Sequence, residues 1–399
     1  MAAMKYWLWL SAQSVSPQAK IALIRHYGDA ETAWFAPAGE YEKIAGINKK
    51  DAQRLEARDL SVTDRIARDC KAQGIEMITL QDAAYPKLLK NIPAPPVVLY
   101  VKGRLPSEEE MPSIAVIGTR KASSYGLKMG QSIAFEISKC GGSVISMLGE
   151  GVDRQAARGC LRAEGCCIGV LGTGHGAETP FQRDILKNGA LISEYPPGTK
   201  SQKHFFRERN RIASGLSRGV VVVEAPEQSG ALLFAAEALE QGREIFAVPG
   251  NADSAMSVGS NELIKQGAKP VTCGWDVMGD FEYLYPGKIK KPGVDFVMPE
   301  LPEQPEEQAA PKTQETTIKA VDKPKTTEYI DLRAQLSGLD AEQLQIISAI
   351  EGNDTHIDDL IERTGMSTAK VLSQLTVLEI RGFVRRSAGR RISLNIKPK

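Results

Sequence analysis

The chain has 399 residues, 42% of them hydrophobic, enough for two or three domains of ~100–200 residues with packed cores. Fifty Lys and Arg against 49 Asp and Glu leave a net charge of +1, so a bulk polycation is excluded and any nucleic-acid contact must come from a local patch. The six cysteines (Cys70, Cys140, Cys160, Cys166, Cys167, Cys273) form no C-x-x-C pair, and His26, His175, His204 and His356 have no metal-ligand spacing, which argues against a disulfide scaffold or zinc site and for a reduced, cytoplasmic protein.

The apolar run at 6–10 is too short for a signal core or a membrane span. Residues 1–105 read as a separate helical domain. Residues 20–27 carry apolar side chains at helical spacing. Ile44-Ala45-Gly46-Ile47 followed by Ala52 and Leu55 fits a helix-hairpin-helix pattern, and equally two helices packed at a glycine. Extended pieces at 76–80 and 97–101 flank the prolines Pro86, Pro93, Pro95 and Pro96, which suit an interdomain connection.

Residues 106–280 alternate strand and helix patterns. Strands are expected at 114–117, 143–146, 167–171, 190–193, 220–224 and 244–248, and helices at 126–140, 153–164, 179–188, 231–241 and 261–266. This alternation predicts a parallel sheet with helices on both faces, which binds ligands outside the carboxyl ends of its strands. Gly118-Thr119-Arg120, 146–151, 172–174, 193–195, 224–230 and 249–251 fall at those ends. Glycines there let a backbone approach phosphate, and Thr119, Arg120, Ser229 and the helix start at Gly230 add hydroxyl, cation and N–H contacts. Glu194 and Glu224 are candidate acid or base groups, and equally candidates for capping a helix or pairing with arginine. No G-x-G-x-x-G follows the first strand and no Walker A lysine is present, so neither a dinucleotide site nor an NTPase is expected.

Residues 281–337, rich in Pro, Glu, Lys, Thr and Gln, read as a flexible linker. Residues 338–399 predict helices at 341–350, 357–364 and 367–379 and a two-stranded wing at 381–386 and 391–395, a winged-helix plan. Its third helix holds one lysine, Lys370, while Arg385, Arg386, Arg390 and Arg391 make the wing basic. A phosphate or protein contact fits this better than base readout.

One stretch concentrates the binding chemistry: 204–217, HFFRERNRIASGLS. Arg207, Arg209 and Arg211 offer forks for phosphate oxygens, Phe205 and Phe206 offer ring faces for bases, and Asn210 sits between two arginines. The same residues also suit a solvated basic turn leading into a helix at 212–216.

The ordered motifs AVIGTR (115–120), SEYPPGT (193–199), FRERNRIASGLS (206–217), VVEAPEQSGAL (222–232), GREIFAVPGN (242–251) and GSNELIKQGAK (259–269) resemble the DprA/Smf family of DNA-processing proteins. The resemblance implies an α/β fold: an extended Rossmann-like parallel-sheet domain between a helical N-terminal domain, helix-hairpin-helix or SAM-like, and a C-terminal winged helix. It implies a homodimer that binds single-stranded DNA and loads RecA onto it past single-strand-binding protein, with no catalysis, cofactor or metal. By matching position, Arg120 would hold a phosphate with Gly118 and Thr119 in its turn. Lys203 and Phe206 would supply a basic contact and a stacking ring, Arg209 and Arg211 a basic rim, Asn210 the shape of a turn, and Ser229-Gly230 a backbone contact. Arg207 stands where proline is common and adds charge. Met147, Ala157, Ala231 and Phe234 also depart from the family pattern, and are expected to narrow the pocket and remove hydroxyls. Two other readings are open. A nucleotide-cleaving phosphoribohydrolase of the lysine-decarboxylase-like group would need P-G-G-x-G-T-x-x-E, absent from 224–238. A ligand-sensing winged-helix regulator would bind duplex DNA.

Overall fold

A computed structural model describes residues 3–291 apart from 203, residue 293, and in the C-terminal part 341–350, 355–367, 370–371, 374–375, 378, 383–387 and 391–394. The chain divides into two compact units after Pro302. Segment 294–340, most of the expected linker, lies outside the described residues.

The first unit opens with helices α1 (Met4–Ala12), α2 (Pro17–Tyr27), α3 (Ala30–Trp34), α4 (Lys49–Glu56) and α5 (Thr63–Gln73). Their ends follow local chemistry. Ser16 accepts from the Ala19 N–H with Pro17 in the first turn, and Gly28 at φ +86 stops α2. The hairpin pattern folds with a difference: Ile44, Ile47, Ala52 and Leu55 are buried, but the arm before Gly46 is a single 3-10 turn, Tyr41–Lys43, not a helix.

Strands β1 (Ile75–Thr79) and β2 (Val98–Gly103) follow, with the short α6 (Lys87–Lys90) between them. They do not stay apart with the helices as the sequence suggested. They extend the main sheet, β2 pairing antiparallel with a later strand in the register Tyr100↔Ser193. The helical layer packs on this edge: Trp7, Trp9, Leu10 and Ile21 share a core with Val97, Val98 and Tyr100, and the Ser11 and Tyr100 hydroxyls hydrogen-bond at 2.6 Å. Burying those apolar residues is why the strands serve two neighbours at once.

The rest of the unit is β3 (Ser113–Ile117), α7 (Ser124–Lys139), β4 (Ser143–Ser146), α8 (Val152–Arg162), β5 (Cys167–Val170), α9 (Pro180–Leu186), β6 (Ala190–Ser193), α10 (Phe205–Leu216), β7 (Gly219–Val222), α11 (Gly230–Glu240), β8 (Glu244–Ala247), α12 (Val258–Lys265), β9 (Lys269–Pro270) and α13 (Gly274–Met278). The sheet order is β1-β2-β6-β5-β4-β3-β7-β8-β9, parallel from β6 to β9. Its central strands are buried on both faces, as short β-branched runs such as Val220–Val222 require. Residues of α7, α8 and α13 form the core on one face, and residues of α10 and α11 the core on the other. A Cβ at Gly159 would fall 2.1 Å from the Gln131 carbonyl oxygen, so α7 and α8 meet this closely only because the residue is glycine. The fold also runs past the expected linker start: Phe281, Tyr285 and Ile289 are buried against the α7 face.

The second unit has α14 (Ala341–Ala349), α15 (Ile357–Thr364) and helical residues between 370 and 378, around a core of Ile346, Leu360, Val371, Leu375, Leu378, Val384 and Ile392. The wing strands β11 (Val384–Ser387) and β12 (Arg391–Leu394) gain a third partner, β10 (Thr355–His356), pairing Thr355↔Ile392. Lys370 forms an ion pair with Glu342 inside the unit. Arg390 and the side chains of Arg385, Arg386 and Arg391 lie outside the described residues.

Candidate nucleic-acid interface

All strands from β3 to β8 end at one edge. Consecutive strands run outward from β3 to β6, and the chain then returns to place β7 on the other side of β3. The reversal between β3 and β7 is the crevice where open α/β sheets place ligands. Here that crevice is closed by the protein's own groups. The Thr119 N–H donates to the Glu224 carbonyl at 2.8 Å. The Glu224 carboxylate accepts from the Ser123 N–H (2.9 Å) and hydroxyl at the start of α7, and a Cβ at Gly126 would meet it at 2.2 Å. The helix N-terminus that would hold a nucleotide phosphate is filled by a carboxylate. Glu224 therefore supports the α7 cap by holding Ser123, close to one of the two roles its sequence allowed.

The neighbouring loop is tied in the same way. Asp153, expected to begin a helix, turns back from α8 and accepts from the Met147 N–H (3.0 Å), the Ser146 hydroxyl (3.2 Å) and the Gly149 N–H. Burial pushes its pKa up despite those bonds. Gly118 is a packing glycine, since a Cβ would lie 2.7 Å from Val152 and 2.9 Å from the Glu224 carbonyl oxygen.

The basic stretch is helical from Phe205, not a turn followed by a short helix. Phe205, Arg209, Ile212 and Leu216 fall on one buried face at helical spacing, which carries the helix back through the arginines. Asn210 thus lies within the helix and shapes no turn. Around α10 the arginines separate. Arg207 is exposed and its side chain makes no hydrogen bond or ion pair among the described residues. Arg209 is 8% exposed, donates to the Met147 carbonyl at 2.6 Å, and stands 5.1 Å from the Phe206 ring centroid. Burial, with Arg120 nearby, lowers its pKa, while Asp153 opposes that shift.

Arg211, expected on the same rim, faces the other way. It is 7% exposed and its Nη2 donates to both oxygens of buried Glu194, while Nε and Nη1 have no partner. Burial opposes its charge, Glu194 more than compensates, and its pKa rises. Lys20 lies in the same cluster, its ammonium on the Ser11 carbonyl (2.7 Å), and burial lowers its pKa to about 8.

What stays open at the edge is smaller than the sequence suggested. Phe206 is 38% exposed and its ring rests over Gly172 at the end of β5, where a Cβ would be 3.1 Å away. Arg120 is exposed at the end of β3, with no hydrogen bond or ion pair among the described residues. Gly230 is exposed at the start of α11, capped by Ser229, whose hydroxyl accepts from the Ala231 N–H at 3.2 Å. Lys203 lies outside the described residues. Ala157, Ala231 and Phe234 are buried in the two sheet-face cores and so fill the core rather than narrow the edge; Met147 packs half-buried beside them. A cavity of about 1000 Å³ between the N-terminal helices and 194–208 includes Asp51, Asp59, Asp69, Glu194 and Glu208 in its lining, against three Lys or Arg, a poor match for a polyanion.

No group of His, Cys, Asp and Glu among the described residues could hold a metal ion, and no described helix is long and apolar enough to cross a membrane.

Residues 76–282 match the family described as DNA recombination-mediator protein A, and residues 331–390 match the DprA winged helix domain. Protein Smf of Synechocystis sp. is 31% identical over 401 residues, covering 97% of each chain. DNA processing protein DprA of Bacillus subtilis is 39% identical over 225 residues, 55% of this chain and 75% of its own. The crystal structure of DNA processing protein A from Streptococcus pneumoniae superposes with a TM-score of 0.60 at 30% identity, over 71% of this chain and 99% of that one. With the large parallel-dominated sheet and the winged helix, these matches make the chain a member of the DprA/Smf family of DNA-processing proteins.

Proposed function

We propose that the chain binds single-stranded DNA along the carboxyl edge of its sheet. The observation carrying this reading is the half-exposed Phe206 ring, braced by Arg209 and next to exposed Arg207, with exposed Arg120 on the same edge at the end of β3, two strands away. A ring for bases and cations for phosphates is what a sequence-indifferent single-strand binder needs. Thr119 and the Ser229-Gly230 helix start belong to the same site, to which family position alone assigns Lys203 and Asn210, while Gly118 shapes its turn and Arg211 holds α10 in place through Glu194. The role is non-catalytic: the carboxylates at the edge, Glu194 and Glu224, are spent on an arginine and a helix cap, and the second fills the position a nucleotide phosphate would take.

Family membership supports the wider role, a cytoplasmic homodimer that delivers the strand to RecA past single-strand-binding protein. A gel shift tests the first step. The chain should retard dT20 far more strongly than a 20-base-pair duplex; equal retardation would favour a duplex-binding regulator. RecA assembly on DNA precoated with single-strand-binding protein should speed up when the chain is added. An unchanged lag removes the loading role, and sedimentation at the monomer mass removes the dimer.

A further inference from the structure

The edge carries a second ring that the DNA reading above leaves unused. Tyr125, in the first turn of α7, is 46% exposed, and its hydroxyl donates at 2.8 Å to the Pro249 carbonyl, just past β8. Its backbone is fixed by the Ser123 cap two residues earlier and by the Glu224 carboxylate that holds that cap. A half-exposed ring tethered at both ends loses little entropy when a base stacks on it.

Its placement relative to Phe206 is informative. Phe206 rests over the end of β5 and Tyr125 is pinned at the end of β8. The strands between them run β5-β4-β3-β7-β8, four steps of ~4.8 Å, or about 19 Å. Exposed Arg120 and Lys121 follow β3, midway along this line. At ~3.4 Å per stacked nucleotide that span holds about six nucleotides, and an extended strand crosses it with fewer. Among acidic groups on this line, the Glu224 carboxylate is buried and bound to Ser123 and Asp153 is buried and bound in its own loop, while Glu150 after β4 and Glu227 after β7 are exposed.

We propose that Tyr125 is a second stacking platform, so that one DNA strand crosses the switch point from Phe206 to Tyr125 with Arg120 holding a phosphate between the rings. This rests on the single-strand reading above and adds its direction and footprint.

Full-length chain carrying Tyr125→Leu or Tyr125→Phe is titrated against fluorescent dT20, and dT20 containing 5-iodouracil is photo-cross-linked to wild-type protein. Tyr125→Leu should weaken binding ~5- to 150-fold with an unchanged salt slope, as expected for losing one stacked base. Tyr125→Phe keeps the ring, loses only the tether, and should bind within a few-fold of wild type. Cross-links should map to both Phe206 and Tyr125. If wild-type protein binds but Tyr125→Leu is unaffected, or both variants lose affinity equally, Tyr125 is at most a tether and the proposal fails. Cross-links at Phe206 and Phe181 without Tyr125 would send the strand the other way, toward the Arg154–Phe181 pair on the α8 side. No dT20 binding by wild-type protein would overturn the single-strand reading itself.

Discussion

Arg211→Ala should destabilise the first unit by about 3–5 kcal/mol, because it leaves buried Glu194 without its counter-charge. The chemical-denaturation midpoint measures this. The double variant Arg211→Met, Glu194→Met removes both charges together. It should recover most of the loss, since a buried ion pair replaced by apolar groups of similar size is often near neutral, and it should bind dT20 with wild-type affinity and salt slope. The unpartnered Nε and Nη1 of Arg211 add to the argument, because this pair satisfies only part of the guanidinium. A stable Arg211→Ala protein with weak, salt-insensitive DNA binding would return Arg211 to the DNA surface and show that α10 is oriented differently.

Phe206→Ala and Arg120→Ala should fail in different ways. Removing the ring should weaken dT20 binding by about 1–3 kcal/mol and leave the dependence on salt unchanged, because no counterion is released by stacking. Removing the free cation should flatten the plot of log affinity against log salt by about 0.7 for one lost phosphate contact. Phe206 also braces Arg209 from one side, so its loss frees a guanidinium that now donates only to the Met147 carbonyl. A Phe206→Ala variant with a shallower slope would mean that the ring positions charge and does not stack. Equal effects from both variants would leave no distinction between base and phosphate contacts at this edge.

The sheet was legible in the sequence because its strands are short, apolar and β-branched, and because helical periodicity separates them. The carboxyl edge followed from that alternation alone. Less legible was where each strand would pair. Residues 75–79 and 98–103 read as extended, but nothing local says that Tyr100 will lie opposite Ser193. The helix through 205–211 was missed because three arginines in seven residues look solvated. The signal was present in the spacing of Phe205, Arg209, Ile212 and Leu216, with an arginine on the buried face. Charge alone could not distinguish Arg207, which is exposed, from Arg211, which is paired with a residue 17 positions earlier. Tyr125 gave no signal, because a tyrosine in a first helical turn is ordinary until its hydroxyl is seen on Pro249. Glu194 and Glu224 show the opposite case: capping a helix and pairing with an arginine were both readable as roles for carboxylates at strand ends.

On the reading proposed above, single-stranded DNA lies along the carboxyl edge of the parallel sheet. Amide hydrogen exchange of the full chain, with and without saturating dT20, tests this most directly. Added protection should appear at 118–126, at 205–210 and at 229–232. Protection confined to 341–394, with the three edge segments unchanged, would contradict it.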